Sequence, residues 1–217
     1  MSLPSTGRRA CLGAVAAAAV SPLLGSRMAR AAEIKPLADV GRTAPAFDVP
    51  DAHGRRHTLA ASRGRVLVLE WSSPTCPFAS AQYASGRMQA LQQWARRKGV
   101  DWLTVLSSHP SRSDYLDGPT AAAWDKARGG MPTALLIDAA GDMGRAYGAM
   151  TANHMFVIDA HGVLRYAGGI DDAMSTKPEE VATSHNYVRA ALEDLLAGRA
   201  VQTATSEPAG CAIAYAG

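Results

Sequence analysis

One stretch, residues 65–83, constrains the fold of this chain more than any other. Its sequence, RVLVLEWSSPTCPFASAQY, begins with an apolar run that is typical of a buried strand. The run ends at Trp71, a short polar turn follows, and Cys76 stands directly before Pro77. Proline is tolerated in the first turn of a helix, because its missing N–H would have had no partner there. The stretch therefore predicts a strand, a turn and a helix that begins beside a cysteine.

The position of Cys76 makes it the first candidate for chemistry. Free backbone N–H groups and the positive end of the helix dipole favour a thiolate at a helix start. A thiolate in such a place is nucleophilic near neutral pH. The alternative is a buried cysteine that packs as a small hydrophobic side chain.

Residues 1–32 are predicted to be an export signal rather than part of the fold. An arginine pair at positions 8–9 precedes an apolar, alanine-rich stretch at 10–24, and a small-x-small site follows. This pattern predicts cleavage near Ala31 or Ala32, with the arginine pair indicating the twin-arginine route. We therefore expect a periplasmic protein.

Removal of the signal changes the charge and the cysteine count. Four arginines and no acidic residue leave, so 18 basic and 19 acidic residues remain and the net charge becomes −1. That balance provides no basic stripe for nucleic acid, and we expect no membrane contact of the mature form. Cys11 also leaves, and the mature chain keeps Cys76 and Cys211. In an oxidising compartment these two can pair.

The rest of the chain alternates between strand and helix patterns. A hairpin is predicted around 47–49 and 57–59, and one continuous helix from Pro77 to Lys98. Further strands are predicted at 100–106, 133–137, 155–159 and 163–166, and further helices at 121–128, 143–147 and 186–196. Such alternation, with a right-handed βαβ unit, predicts an α/β domain.

The segment from Trp71 to Phe78 resembles the active-site segment of thioredoxin-like proteins. Over 40–215 the chain resembles the redoxin family, relatives of alkyl hydroperoxide reductase and thiol-specific antioxidant proteins, in an exported bacterial form with a Gly-Cys-x-x-x-Tyr tail. The resemblance implies a thioredoxin-like three-layer α/β fold with a mixed central sheet, helices on both faces and an N-terminal β-hairpin. It assigns 33–200 to the redoxin domain and 201–217 to the tail.

The resemblance also implies a thiol-based oxidoreductase without a cofactor. The second cysteine of the usual thioredoxin motif is replaced by Ala79, so Cys211 is the other thiol left within the mature chain. Cys76 would be the nucleophile and Cys211 a resolving cysteine, in thiol–disulfide exchange or hydroperoxide reduction. The expected partner is a thiol–disulfide protein, a small thiol or a peroxide. A static disulfide and two unpaired thiols remain open.

Six further residues are candidates for supporting roles through the same resemblance: Trp71, Ser73, Thr75, Pro77, Asn153 and His154. Ser73 matches the hydroxyl of the peroxiredoxin pattern, whereas Leu69 and Asn153 stand where that pattern has proline and arginine. Asn153 also replaces the cis-proline of thioredoxins, so a trans bond or a strained turn is expected there. His154 would lie beside Cys76 and stabilise its thiolate, as an imidazolium or as a hydrogen-bond donor.

Two alternatives of other classes remain. The first is a non-catalytic thioredoxin-like binding module in which Cys76 and Cys211 form a structural disulfide. The second is a copper carrier that uses Cys76, Cys211 and His154 as soft ligands. The Cys-x-x-x-Cys spacing of such carriers is missing, and we expect no metal site.

Overall fold

A computed structural model describes residues 1–2, 38–213 and 215. The chain divides into two units, 1–34 and 35–217, and the fold below is that of the second. The predicted export signal falls almost entirely on residues outside the described ones. None of the helices in the described part of the chain is long and apolar enough to cross a bilayer.

The centre of the domain is a five-stranded mixed sheet. Its strands are β3 (Leu67–Trp71), β4 (Asp101–Leu106), β5 (Ala134–Ile137), β6 (Met155–Ile158) and β7 (Leu164–Gly168). They lie in the order β5-β4-β3-β6-β7, with β3 parallel to β4 and antiparallel to β6. The strand that precedes Cys76 is thus the central one, and all five of its residues are buried.

Helices cover both faces of this sheet, as the sequence predicted. They are α1 (Pro77–Ala84), α2 (Arg87–Arg97), α3 (Gly118–Ala127), α4 (Asp142–Tyr147), α5 (Pro178–Thr183) and α6 (Tyr187–Leu196). Because side chains alternate along a strand, Leu67, Leu69 and Trp71 enter one core with Tyr147 of α4. Val68 enters the other core, which also holds residues of α1, α2 and α6.

The prediction of one continuous helix from Pro77 to Lys98 is wrong. The segment forms two helices, because Gly86 lies between them with φ +76°. That left-handed conformation suits glycine and ends the first helix after Ser85. The short α5 was also not predicted, since six residues in a polar loop carry too little periodicity to reveal a helix.

The N-terminal hairpin is confirmed. Strands β1 (Asp48–Pro50) and β2 (Arg56–Thr58) pair antiparallel, one residue away from the predicted positions. Asp51 closes the turn by accepting hydrogen bonds from the backbone N–H groups of His53 and Arg55, each at 2.9 Å. Phe47 and Val49 belong to the same core as β3, so the hairpin packs on the sheet.

Candidate functional site

Cys76 occupies the N-cap of α1, where the sequence predicted it. Its backbone is extended (φ −86°, ψ 116°), and its carbonyl accepts the Ser80 N–H at 2.9 Å as the first bond of the helix. Pro77 follows in the first turn. The side chain of Cys76 is completely buried, so no solvent reaches it in this conformation.

Cys211 covers Cys76. The backbone N–H of Cys211 donates to Sγ of Cys76 over 3.1 Å. The two cysteines share a small apolar cluster with Ala79 and Ala152, and Phe78 lies against it. Both sulfurs are free thiols, with Cys211 partly exposed. The structure thus brings together the two cysteines that stand 135 positions apart in sequence.

The tail around Cys211 is held by backbone hydrogen bonds to the segment 149–153. Ala152 N–H donates to the Cys211 carbonyl at 2.9 Å, and Ile213 N–H donates to the Met150 carbonyl at 2.9 Å. Gly210 passes so close that a Cβ there would lie 2.9 Å from the carbonyl carbon of Ala152. A side chain at position 210 would therefore push the tail away.

The two thiols differ in their surroundings. Burial, together with the adjacent Cys76, raises the pKa of the Cys211 thiol to about 12. Cys211 is therefore a protonated thiol at neutral pH. Cys76 has the helix start beneath it and the Cys211 N–H in front of it. The positive end of the helix dipole and one backbone N–H are thus both directed at the sulfur of Cys76.

The loop before Cys76 is organised by its own hydroxyl groups. The Ser73 and Thr75 hydroxyls lie 3.3 Å apart, and the Thr75 N–H lies 3.4 Å from Ser73 Oγ. Ser73 contacts Cys76 through its carbonyl, which accepts the Cys76 N–H at 3.4 Å. Ser73 also lines a cavity of about 280 Å³ beside α1. Thr75 and Pro77, the sequence neighbours of Cys76, are exposed.

Trp71 lies at the end of β3, in the core that also holds Tyr147 and Phe156. Its indole N–H donates to Ser107 Oγ at 3.0 Å, and the Ser107 hydroxyl donates to Asp138 at 2.6 Å. Burial raises the pKa of Asp138, and the hydrogen bond from Ser107 opposes that shift. The Trp71 ring packs against Tyr147 and Phe156. Trp71 therefore fixes the end of β3, from which the loop to Cys76 departs.

Asn153 forms a left-handed turn where thioredoxins have a cis-proline. Its φ is +67°, and its N–H donates to the Trp71 carbonyl at 2.8 Å. The described residues contain no cis peptide bond, in agreement with the sequence prediction of a trans bond or strained turn. Asparagine tolerates this conformation better than most side chains. Its Oδ1 atom is buried without a hydrogen-bond partner.

His154 is a buried, neutral side chain. Burial lowers its pKa to about 4, so the imidazolium is disfavoured at neutral pH. Its Nδ1 accepts the Met150 N–H at 3.2 Å, which places the ring proton on Nε2. The ring stacks on Phe156 with centroids 4.4 Å apart. The side-chain contacts of His154 are therefore with the backbone N–H of Met150 and with the ring of Phe156.

Sequence reasoning missed a buried carboxylate directly before Trp71. Glu70 is fully buried and accepts four hydrogen bonds, from Tyr83, Gln92, Trp102 and Thr104, at 2.7–3.1 Å. The guanidinium of Arg128 lies 4.0 Å away. Arg128 is itself sandwiched between the rings of Tyr83 and Trp124 at 3.6 and 3.7 Å. The one available signal was an acidic residue inside an apolar central strand.

Within the residues the structure describes, no three His, Cys, Asp or Glu side chains group into a metal site. Cys76, Cys211 and His154 accordingly do not form a three-ligand cluster. The copper-carrier alternative gains no support from this geometry.

Comparison with known proteins identifies the family of the chain. Residues 40–167, more than half of the chain, match the AhpC/TSA family. The chain belongs to the AhpC/TSA family. A search of the curated proteins found no match.

Solved structures support the fold of this AhpC/TSA protein. A hypothetical protein, SMc02350, from Sinorhizobium meliloti 1021 is 27% identical with a TM-score of 0.68, over 83% of this chain and 97% of that chain. An uncharacterized conserved protein from Geobacillus kaustophilus is 21% identical with a TM-score of 0.68, over 85% and 94%. A protein from Chlorobium tepidum, provisionally named thiol:disulfide interchange protein DsbE, is 20% identical with a TM-score of 0.50, over 61% and 86%.

Proposed function

We propose that this AhpC/TSA protein is a thiol-dependent oxidoreductase in which Cys76 and Cys211 alternate between two thiols and one disulfide. The observation that carries the proposal is the contact between the Cys211 N–H and Cys76 Sγ at 3.1 Å. That contact holds the second thiol beside the first, at a helix start that favours a thiolate. Membership of the family supports the same chemistry.

The proposed exchange with an oxidised partner runs in two steps. The Cys76 thiolate attacks one sulfur of the partner disulfide, forming a mixed disulfide, and the other partner sulfur leaves as a thiolate. The Cys211 thiol then loses its proton and attacks Cys76 Sγ. The Cys76–Cys211 disulfide forms, and the first partner sulfur leaves and takes up a proton. The partner gains two electrons, which a reducing thiol must later return to the protein.

Hydroperoxide reduction is the second candidate, favoured by the family match. There the Cys76 thiolate attacks the peroxide oxygen, an alcohol leaves, and the resulting sulfenic acid condenses with Cys211 with loss of water. Peroxiredoxin chemistry uses a guanidinium to polarise the peroxide. Two arginines that could replace the missing one are engaged elsewhere, Arg145 with Asp142 and Arg165 with Asp159. Disulfide exchange is therefore our first choice.

A redox titration tests the proposal. The mature protein is equilibrated in dithiothreitol or glutathione buffers, and its free thiols are counted by labelling. A midpoint between about −120 and −270 mV, the range of exchange proteins, is the expected result. A midpoint far below about −300 mV would identify a structural disulfide and support the non-catalytic binding module instead. Following peroxide consumption in the same sample distinguishes the two reactions.

We further propose that the protein works in the periplasm after cleavage near Ala31 or Ala32. The support is the arginine pair, the apolar stretch and the small-x-small site of the sequence. Amino-terminal sequencing of protein from the periplasmic fraction tests the cleavage. Replacing Arg8 and Arg9 by lysine should keep the precursor in the cytoplasm, if export follows the twin-arginine route.

A further inference from the structure

Tyr215 lies four positions beyond Cys211 and is seated on α4 and the loop before it. A Cβ built at Gly144 would lie 2.6 Å from Cε1 of Tyr215, and one built at Gly141 would lie 2.6 Å from its Cδ1. The three atoms nearest to such a Cβ at Gly144 all belong to Tyr215. The two glycines thus form a notch, here called the glycine notch, that the ring of Tyr215 fills.

Further contacts hold Tyr215 in the glycine notch. Its hydroxyl donates to the Ala149 carbonyl at 2.7 Å. The Arg145 guanidinium lies 5.4 Å from the ring centroid, within the range of a cation–π contact. Ala149 begins the segment whose Ala152 pairs with Cys211. The tail is therefore attached to the segment 149–152 at two points. Cys211 binds Ala152 at one end of the segment, and Tyr215 binds Ala149 at the other.

The packing of Tyr215 in the glycine notch affects the accessibility of Cys76. Cys76 is completely buried, and the tail residue Cys211 lies on its sulfur. Lifting the tail uncovers this sulfur for an external reactant. Lifting the tail from 210 to 215 withdraws the aromatic ring from the glycine notch, so the packing of Tyr215 opposes opening.

We propose that Tyr215 is a positioning residue for the cysteine pair: its ring in the glycine notch holds Cys211 over Cys76 and sets how often Cys76 is open to reactants. The proposal goes beyond the proposed function. Only the formation of a disulfide by Cys76 and Cys211 depends on that proposed function. The covering of Cys76 by the tail is argued from the contacts of Cys211 and Tyr215.

The test measures how fast iodoacetamide labels Cys76 in the reduced full mature chain, by peptide-resolved mass spectrometry. Tyr215→Ala should raise this rate by roughly ten- to a hundredfold, the equivalent of losing one packed aromatic ring. Tyr215→Phe keeps the ring and should stay within about threefold of wild type, since it loses one neutral hydrogen bond. Tyr115→Ala is the matched control, a half-buried tyrosine in the loop between β4 and α3, and should leave the rate unchanged.

Gly144→Ala tests the contact between Tyr215 and Gly144 by changing the glycine instead of the tyrosine. Its methyl group collides with the ring, so this variant should also raise the labelling rate. In the double variant Gly144→Ala with Tyr215→Ala the methyl group has no ring to meet. The double variant should therefore match Tyr215→Ala alone. Independent, additive effects would mean that each change acts through stability and would overturn the proposal.

The midpoint potential adds a readout that general stability does not move. The disulfide forms only with the tail closed, so Tyr215→Ala should make the midpoint of the pair less negative, by about 30 mV for each tenfold fall in the closed fraction of the dithiol form. Unchanged labelling in Tyr215→Ala overturns the positioning role of Tyr215. Faster labelling in a protein that never forms the Cys76–Cys211 disulfide upholds that positioning role and overturns the proposed redox function.

Discussion

The backbone N–H of Cys211, and not only its thiol, faces the sulfur of Cys76, at 3.1 Å. A substitution at position 211 keeps that N–H, because it belongs to the main chain. The tail can therefore stabilise a Cys76 thiolate without taking part in a disulfide. This separates two roles of Cys211, donor and resolving thiol, that a serine variant distinguishes.

The first prediction concerns the two cysteine variants. Cys76→Ser should lower thiol-dependent activity by at least roughly a thousandfold, because the nucleophile is lost. Cys211→Ser retains the backbone donor and should complete one half-reaction, leaving a mixed disulfide or sulfenic acid on Cys76 but no turnover. Single-turnover assays with mass spectrometry of the intact protein measure both. Wild-type activity in Cys76→Ser would rule out the nucleophile assignment.

The second prediction is an acid-sensitive stability that comes from His154. Its folded pKa of about 4 lies below the usual 6.5, so the unfolded state binds the proton more readily. The contribution is complete above about pH 6.5 and is lost as the pH falls towards 4. The free energy of unfolding in urea should fall by about 2 kcal/mol between pH 7.5 and 5.

A matched variant isolates the His154 effect. His154→Asn offers an amide oxygen in place of Nδ1 for the Met150 N–H, yet does not titrate. The loss of stability between pH 7.5 and 5 should shrink to less than half in this variant. The same slope in both proteins would assign the pH dependence to other groups.

Much of the site could be predicted from the sequence because it is local. The apolar run, the Cys-Pro pair and the amphipathic segment beyond it fix the central strand and the helix start at Cys76 through short-range rules. The break at Gly86 could not be predicted, because a glycine inside a helical pattern is often tolerated. Whether such a glycine continues the helix or ends it depends on its backbone conformation, which the residue type does not determine.

The contacts between residues distant in sequence could not be predicted from the sequence. The approach of the tail to Cys76 depends on close packing of Gly210 against Ala152 and of Tyr215 against Gly144, which no local pattern records. The protonation state of His154 could not be predicted from the sequence either. Position in the chain suggested that His154 stabilises the thiolate as an imidazolium or as a hydrogen-bond donor, whereas burial keeps the ring neutral and so disfavours the first of these. Burial is a property of the whole fold.

The third prediction concerns Glu70. Glu70→Ala leaves four buried donors without their acceptor and should lower the free energy of unfolding by about 3–5 kcal/mol. Glu70→Gln keeps the volume and one oxygen, so the expected loss is about 1–2 kcal/mol. Denaturation in urea at pH 7.5 measures both values. Unchanged stability in Glu70→Gln beside a large loss in Glu70→Ala would contradict a hydrogen-bonding role and point to packing alone.

The last prediction concerns the passage of the tail at Gly210. Gly210→Ala places a methyl group against the Ala152 backbone, with the new carbon 2.9 Å from the carbonyl carbon unless the tail moves. Cys211 should then leave Cys76, and the rate of disulfide formation after a pulse of oxidant should fall roughly tenfold or more, since the second thiol is no longer held in place.

Acid quenching and thiol labelling at timed intervals follow this step. Glu207→Ala serves as the matched control, because it lies three positions earlier in the tail with an exposed side chain, and should form the disulfide at the wild-type rate. Unfolding temperatures of all variants show whether the domain is intact. An intact Gly210→Ala protein that still forms the disulfide at the wild-type rate would mean that the docked tail is not what brings the two cysteines together.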